Sequence, residues 1–222
     1  MKTSDHNGGG GAMARAAAYG QAYRDRKRPL HPTATANDLR AAFGGPVPET
    51  GEAGPAVIDQ LIQAAEPGLV GNTEPGFHAW VMGGSNPTGV AADWLTSVWG
   101  QNAGIYQCSP AAATAEEVAA GWLLDILDLP RRASVGFTTG ATMAGFNCLA
   151  AARGEVLRRA GHDYDECGLQ GAPRIRVFIS DDTHLSNLAA LRYLGFGQRD
   201  LVKIPTDKEG RMKVDLLREQ IM

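Results

Sequence analysis

Apolar residues recur every three or four positions along much of the chain, and this spacing predicts amphipathic helices. The longest such pattern covers residues 112–129 and stops before Pro130. Its apolar residues share one helical face: Val118, Trp122, Ile126 and Leu129. Further helices are predicted over residues 14–28, 37–43, 56–65, 88–102, 185–194 and 214–222. Trp94 and Trp122 lie on the apolar faces of their helices, so both are predicted to be core residues.

Short apolar runs alternate with the helices in the second half of the chain. Strands are predicted at Val135–Phe137, at 175–179 and at 201–204, and a predicted helix follows each of them. Strands that alternate with helices indicate βαβ units, and therefore a parallel sheet covered by helices. The predicted fold class is α/β.

The first third of the chain has a different character. Residues 1–12 are polar and rich in glycine, and we predict a disordered tail there. Residues 13–87 contain short helices separated by prolines, an extended run at 77–82 and a small-residue loop at 83–87. These pieces do not form a self-sufficient core, so we predict an arm that packs on something larger. Residues 88–222 are then the first part of an α/β domain.

The stretch from Val135 to Phe146 is predicted to be a strand, a tight loop and the start of a helix. Small loop residues leave backbone N–H groups at the helix start uncovered, and the helix dipole adds positive potential. A phosphate group suits such a position. Gly140 lets an anion approach the backbone, and Thr139 and Thr142 add hydroxyl donors. The simpler alternative is an ordinary capped helix. The stretch contains neither a Walker lysine nor G-x-G-x-x-G.

A second polar loop, Ser180–His184, follows the strand predicted at 175–179. Ligands of open α/β sheets bind beyond the carboxyl ends of the strands, and both loops lie there on this interpretation. His184 is therefore a candidate site residue, although a histidine in such a loop is more often a capping or solvated side chain. Asp181, Asp182 and His184 are weaker candidates for metal ligands, because adjacent carboxylates on one loop do not easily converge on one ion. We predict no metal site.

Composition limits the class of protein. The net charge is −3 and no basic patch follows the chain, so we expect no nucleic-acid partner. No apolar run is long enough to cross a bilayer, and the amino terminus lacks the apolar core of a secretory signal. Cys108, Cys148 and Cys167 are odd in number and irregularly spaced, which favours reduced thiols in a cytoplasmic protein. Cys148 is predicted to fill the core.

Several short stretches occur in the order found in one enzyme family. They are Phe77-His78-Ala79-Trp80, Gly83-Gly84-Ser85-Asn86-Pro87, Ala92-Asp93-Trp94-Leu95, Ser109-Pro110-Ala111, Trp122-Leu123-Leu124, Phe137-Thr138-Thr139-Gly140-Ala141-Thr142, Ser180-Asp181-Asp182-Thr183-His184 and Gly210-Arg211-Met212. With these stretches, residues from about 37 to the end resemble the pyridoxal-phosphate-dependent group II amino-acid decarboxylases. That family includes the aromatic-amino-acid, glutamate and animal-type histidine decarboxylases.

The resemblance implies a fold, a cofactor and site residues. The fold would be the large domain of fold-type I, PLP-dependent transferase-like proteins, incomplete here and preceded by the helical arm. His184 would be catalytic: it would stack on the pyridine ring of pyridoxal 5'-phosphate and sit near the substrate carboxylate. The residues implied to bind the cofactor phosphate are Thr139, Gly140, Ala141 and Thr142. The residues implied to line the amino-acid substrate pocket are Ser85, Asn86 and Pro87. The arm would wrap around a second subunit of a homodimer, with the site near the subunit interface.

This chain departs from the family pattern at three points. Met143 stands where the family usually has Glu, and Gly145 where Asn or Thr is usual; neither change removes a backbone donor. The family's Schiff-base lysine follows a histidine, and no His-Lys pair occurs here. The lysines present are Lys2, Lys27, Lys203, Lys208 and Lys213. We therefore expect the amino-terminal part of a decarboxylase, inactive alone.

Two alternatives remain open on the sequence. The chain could be a non-catalytic, phosphate- or PLP-binding regulatory subunit that pairs with a complete one through its arm. It could also belong to a PLP enzyme of the same fold with another reaction, such as aldehyde synthesis or an aminotransferase-like activity. The substrate side chain is equally open, because the loop at 83–87 is small and polar.

Overall fold

The computed structural model describes the backbone of residues 7–222 and the side chains of residues 10–222. The helices are α1 (Asn7–Asp25), α2 (Ala36–Phe43), α3 (Gly54–Ala65), α4 (Pro87–Trp99), α5 (Pro110–Ile126), α6 (Ala141–Arg159), α7 (Tyr164–Cys167), α8 (Leu185–Tyr193) and α9 (Val214–Ile221). The strands are β1 (Val177–Ser180) and β2 (Leu201–Ile204), and short 3-10 helices cover Glu66–Gly68 and Gln198–Asp200. The described chain is thus mainly helical, with a small parallel sheet.

Two compact units divide the chain, one up to Gln101 and one from Asn102 onward. The first contains α1 to α4, and the second contains α5 to α9 and both strands. The division groups α4 with the helices that precede it. The predicted domain boundary after residue 87 concerns the large domain of the family and stays a prediction.

Helix α1 begins earlier than the sequence suggested. Residues 7–12 are helical, where a disordered tail was predicted; residues 1–6 of that tail lie outside the described residues. Extending an existing helix is much easier than nucleating one, which offsets the poor helix propensity of glycine. The helix also gains a tertiary contact, because a Cβ at Gly11 would lie 3.0 Å from Cγ of Pro55 at the start of α3. That close approach needs a residue without a side chain.

Local signals position the next helices close to their predicted bounds. Thr35 caps α2 in a reciprocal pair: the Asp38 N–H donates to Oγ1 of Thr35, and the Thr35 N–H donates to the Asp38 carboxylate. Hydrogen bonds from the side chain and then the backbone of Thr35 lower the pKa of Asp38. Helix α4 ends at Gly100, whose φ of 57° is left-handed, as expected of a glycine after a helix.

Two predicted extended segments are absent as strands. Trp80 and Val81 have φ values of 61° and 55°, so the run at 77–82 turns instead of extending. Left-handed backbone is unfavourable for a β-branched residue such as Val81. Residues 135–137 also lack strand structure, because β1 pairs only with β2 among residues 7–222 and nothing there pairs with 135–137. Extended segments without a ladder partner do not form strands.

The sheet and its covering helices form the core of the second unit. Strands β1 and β2 pair in parallel, with Val177 opposite Leu201 and Ser180 opposite Ile204. Helices α6 and α8 pack against each other. The apolar side chains buried in this unit are Leu124, Leu157, Ile179, Ala190, Leu191, Leu194 and Ile204. The parallel pair joined by α8 is the predicted βαβ unit.

Three predicted core residues are not buried. Trp94 is 43% exposed and Trp122 is 65% exposed, and the predicted apolar stripe that contains Trp122 lies largely open. Cys148 is exposed too, as are Cys108 and Cys167, and all three are free thiols. Helical periodicity identifies the apolar face of a helix but not what covers it. Within the described residues, no helix is long and apolar enough to cross a membrane.

Candidate functional site

Helix α6 starts without a cap. Gly140 precedes it in extended conformation (φ 167°, ψ 171°) and no side chain caps the helix. The first helical hydrogen bond is from the Ala144 N–H to the Gly140 carbonyl, at 3.1 Å. The N–H groups of Ala141, Thr142 and Met143 therefore have no partner among residues 7–222.

The space in front of this helix start is open. A Cβ at Gly140 would meet no atom within 4 Å, so the glycine is not needed for packing. Its extended backbone is one that other residues adopt as well. Thr138 turns its hydroxyl back to the Gly140 carbonyl at 3.2 Å. The arrangement is a set of unpaired donors facing an uncovered surface, which suits a small anion.

His184 occupies the matching position on α8. It follows β1 and caps the helix: its Nδ1 accepts from the Ser186 N–H at 3.2 Å and lies 2.8 Å from the Ser186 hydroxyl. The imidazole is exposed. The sequence alternative of a capping histidine is therefore present in the structure, and Nε2 of the exposed ring has no hydrogen-bond partner among the described residues.

Helices α6 and α8 run side by side in the same direction. Near their starts, a Cβ at Gly145 would lie 3.4 Å from Oδ1 of Asn187. Two turns further on, Nη1 of Arg153 donates to the Leu194 carbonyl at 2.6 Å. The two residues of each contact are separated by nearly the same number of positions in the sequence. The helices are therefore parallel, with a constant register along the contact. His184 is thus about level with Thr142 along this pair of helices. The structure brings these predicted site residues to one end of one unit.

The loop that carries His184 is tied to the end of β2. The Thr206 N–H donates to the Asp181 carboxylate at 3.0 Å, and the Thr206 hydroxyl donates to the Asp182 carboxylate at 2.9 Å. The Asp181 N–H donates to the Ile204 carbonyl at 3.1 Å. Both carboxylates are engaged in bracing the loop. Among the residues that the structure describes, no group of three or more His, Cys, Asp or Glu could hold a metal ion.

Ser85, Asn86 and Pro87 lie in the first unit, and each has a structural role there. Asn86 caps α4 by accepting from the Thr88 N–H at 2.8 Å, and Pro87 is the first residue of the helix. Ser85 is held by Arg24 of α1, whose guanidinium donates to its hydroxyl at 2.7 Å and to its carbonyl at 2.6 Å. Their predicted place in a substrate pocket stays a prediction.

One side-chain cluster in the first unit was not foreseen. Glu66 accepts from Arg28 at 2.5 Å, from Tyr19 at 3.1 Å and from Arg26 at 2.7 Å. Arg28 is buried and also stacks on Tyr23, with its guanidinium carbon 3.8 Å from the ring centroid. Burial raises the pKa of Glu66, but the hydrogen bonds from Arg28, Arg26 and Tyr19 outweigh it and the net pKa is lowered. The partners are about 40 residues from Glu66 in the sequence, so a local sequence pattern could not predict the cluster.

Arg153 and Ser186 were also missed. Arg153 is buried on α6, where its guanidinium carbon lies 4.2 Å from the centroid of the Tyr164 ring. A charged residue on an apolar helix face is the one signal that could have marked it, because a buried guanidinium needs specific partners. Ser186 lies two residues after His184, and the backbone N–H at this position commonly donates to the side chain of a capping residue.

The small parallel sheet with helices packed on it, and the uncapped start of α6 in the same unit, agree with the class of fold-type I PLP-dependent proteins. The sequence profile described as the pyridoxal-dependent decarboxylase conserved domain matches residues 37–222. The chain belongs to the pyridoxal-dependent decarboxylase family.

Two characterised relatives illustrate the range of the family. Tryptophan decarboxylase 1 of Oryza sativa subsp. japonica is 31% identical over 163 residues, which cover 68% of this chain and 31% of that protein. The 4-hydroxyphenylacetaldehyde synthase of Rhodiola rosea is 25% identical over 193 residues, covering 84% of this chain and 38% of that protein. This chain therefore spans about a third of the length of these relatives.

A solved structure supports the fold over the whole chain. The crystal structure of Oryza sativa TDC with PLP and tryptamine superposes with a TM-score of 0.83 at 24% identity. The match covers 100% of this chain and 49% of that one. The family uses pyridoxal phosphate, and the three unpaired N–H groups with an open approach at the start of α6 fit its phosphate ester.

Proposed function

We propose that this chain is the amino-terminal, cofactor-phosphate-binding part of a PLP-dependent decarboxylase acting on an aromatic amino acid. Family membership supports the cofactor and the reaction class. The aromatic substrate rests on the similarity to tryptophan decarboxylase 1. The observation that carries the proposal is the parallel packing of α6 and α8, which puts an uncapped helix start level with the exposed imidazole of His184.

The start of α6 would hold the phosphate. The N–H groups of Ala141, Thr142 and Met143 would donate to the phosphate oxygens, and the hydroxyl groups of Thr139 and Thr142 would add donors. Gly140 and the three residues after it are exposed, so the approach to these N–H groups is open. The dipole of a 19-residue helix adds positive potential at this end.

His184 would lie over the pyridine ring and near the substrate carboxylate. Its backbone is fixed by the cap it makes on α8 and by the bonds from Thr206 to Asp181 and Asp182. An imidazole held in this way excludes water from one face of the ring and orients the carboxylate that is to leave. Bound pyridoxal phosphate would supply the electron sink for the carbanion that loss of CO₂ creates.

The remaining parts of the proposal concern the rest of the enzyme. Ser85, Asn86 and Pro87 would line the amino-acid pocket, and the arm α1–α3 would pack on a second subunit of a cytoplasmic homodimer. The lysine that attaches the cofactor would come from a further part of the protein, because no His-Lys pair occurs in these 222 residues. This chain alone would then bind the cofactor non-covalently.

The phosphate cradle can be tested by removing one donor. Ala141→Pro deletes one N–H at the first helical position, where proline is tolerated, and Gly140 is already extended as a residue before proline should be. We expect the affinity of the 222-residue chain for pyridoxal phosphate to fall about tenfold, as for a lost hydrogen bond to a charged group. Binding is measured by equilibrium dialysis.

The matched control is Val214→Pro, the same change at the first position of α9. It should leave the affinity for pyridoxal phosphate unchanged. Pyridoxal, which lacks the phosphate, should bind the wild-type chain and Ala141→Pro equally. Equal affinity of wild type and Ala141→Pro for pyridoxal phosphate would refute the cradle.

A second candidate function is aldehyde synthesis on the same cofactor. The similarity to the Rhodiola rosea 4-hydroxyphenylacetaldehyde synthase favours it. The two reactions differ in oxidation state: decarboxylation keeps the amine, whereas aldehyde synthesis also oxidises the amine-bearing carbon by two electrons, with dioxygen as the oxidant and hydrogen peroxide as its product, and water then releases ammonia. Product analysis of the complete enzyme separates them, because an amine supports decarboxylation and an aldehyde with ammonia supports synthesis.

A further inference from the structure

The cap that His184 makes on α8 constrains the ring as well as the backbone. Nδ1 faces two groups of Ser186, the backbone N–H at 3.2 Å and the hydroxyl oxygen at 2.8 Å. A hydroxyl can donate or accept, but a backbone N–H can only donate. Nδ1 must therefore present its lone pair, and the Ser186 hydroxyl must turn its hydrogen toward it.

This arrangement selects one tautomer of the neutral imidazole. With Nδ1 unprotonated, the ring hydrogen sits on Nε2, which has no hydrogen-bond partner among residues 7–222. The opposite tautomer would place an Nδ1 hydrogen against the Ser186 N–H. The second ring nitrogen of a histidine commonly takes its protonation state from the bond made by the first.

The same two bonds restrict rotation of an exposed ring. An imidazole on the surface turns freely about its Cβ–Cγ bond unless a partner holds it. Here the hydroxyl and the N–H of Ser186 hold one edge, and Ser186 is itself fixed in the first turn of α8. The ring plane is thus set relative to the helix start.

We propose that Ser186 is a positioning residue that holds His184 in the Nε2–H tautomer and in one ring orientation. Its purpose rests on the proposed function: Nε2–H becomes a fixed donor toward a carboxylate, and the ring face becomes a fixed surface for the cofactor. Ser186 acts through His184 and need not touch either ligand.

The test is NMR of the 222-residue chain labelled with ¹⁵N-histidine, at a pH where the ring is neutral. The His184 resonances are assigned as those lost in His184→Gln. The wild type should show the Nε2–H pattern. Ser186→Ala keeps the backbone N–H and should lower the ratio of Nε2–H to Nδ1–H tautomer about twofold, because the lost hydroxyl is a better donor to an imidazole nitrogen than an acceptor from it. Ser186→Thr, which keeps the hydroxyl, should restore the wild-type pattern.

Ser134→Ala is the matched control, because Ser134 makes no hydrogen bond with its hydroxyl to any residue that the structure describes. It should leave the His184 pattern unchanged. A His184 spectrum that is the same in wild type and Ser186→Ala would overturn the proposal. So would an Nδ1–H pattern in the wild type.

Equilibrium dialysis with pyridoxal phosphate separates the two proposals. If Ser186→Ala changes the tautomer and weakens binding two- to fivefold, both are supported. If it changes the tautomer while His184→Gln and Ser186→Ala bind the cofactor as wild type does, the positioning role of Ser186 is supported and the contact of His184 with the cofactor is overturned.

Discussion

Glu66 shows how single residues tie the first unit together. Its carboxylate accepts hydrogen bonds from the side chains of Tyr19, Arg26 and Arg28. The side chain of Arg28 is only 7% exposed. A buried guanidinium without its carboxylate would be an uncompensated charge. The anchor of α1 on the end of α3 therefore depends on one acidic side chain.

Glu66→Gln should lower the free energy of unfolding of the first unit by about 3 kcal/mol, as when one partner of a buried pair is removed. Urea denaturation followed by circular dichroism measures this. The matched control is Glu155→Gln, which removes a carboxylate from an exposed pair with Arg158 and Arg159 and should leave the midpoint nearly unchanged. Equal effects of the two substitutions would contradict the anchoring role.

The Glu66 anchor should also make stability depend on pH. Because the pKa of Glu66 is lower in the folded protein than its ordinary value, its contribution is complete above the unfolded-state pKa. It is lost as the pH falls through the folded value. The difference in urea midpoint between wild type and Glu66→Gln should therefore be largest at about pH 7 and shrink below about pH 4. A difference that grows in acid would contradict the lowered pKa.

The packing of α6 against α8 is the feature on which the candidate site depends. A Cβ at Gly145 would already touch the Asn187 side chain of α8, at 3.4 Å from Oδ1, so a larger side chain would have to displace it. Gly154, on the same helix, has open space where a Cβ would stand. The two glycines therefore form a natural pair for comparison.

Gly145→Leu should push the helix starts apart and destabilise the second unit by about 1–3 kcal/mol, the usual cost of overpacking. It should also weaken binding of pyridoxal phosphate, because Thr142 and His184 would no longer be level. Gly154→Leu should do neither, and its better helix propensity should slightly stabilise α6. Thermal melts and equilibrium dialysis provide the two measurements. Unchanged cofactor affinity in Gly145→Leu would show that the spacing of the helices does not matter for binding.

Element positions were predictable where the signal is local. Thr35 with Asp38 marks the start of α2, Pro87 marks α4, and Leu201–Ile204 is strand β2 at its predicted bounds. The strand at 135–137 failed because strand structure needs a partner, and sequence periodicity contains no information about pairing. The prediction of an extended run at 77–82 was wrong for a similar reason. A run of apolar residues does not reveal that the backbone turns at Trp80 and Val81.

The site divides in the same way. The helix start at Ala141 follows from the small residues before it, and the loop before His184 follows from the end of strand β1, so their place in the fold could be predicted. The level positions of Thr142 and His184 depend on Gly145, Asn187 and Arg153, which meet only after folding. Hydrogen bonds between residues far apart in the chain, such as that of Arg24 with Ser85, cannot be predicted from a single sequence.

At the scale of the whole molecule, the most prominent property is exposed apolar surface. Trp122 and Ile126 on α5 are 65% and 77% exposed, and Val118 beside them is 44% exposed. Exposed apolar side chains on one face of a helix favour association with another surface. None of the described residues covers these three side chains enough to bury them.

We expect the 222-residue chain to self-associate as its concentration rises, and Ile126→Glu to reduce that association. Sedimentation velocity at several concentrations measures it. Val47→Glu is the control, because Val47 is 88% exposed but belongs to a loop of the first unit and not to the α5 stripe, and the change should have little effect. A chain that stays monomeric at every concentration would contradict the role of this surface.

The two hydrogen bonds from Arg24 to Ser85 have a practical consequence for the design of shortened versions of the protein. Arg24 is the last basic residue of the first helix, and it holds both the hydroxyl and the carbonyl of a residue 61 positions later. Shortening the chain from its amino end past this arginine would release the segment that leads into Pro87, far along the polypeptide. Boundary choices for expression should therefore keep the first helix intact, even though its glycine-rich beginning looks dispensable.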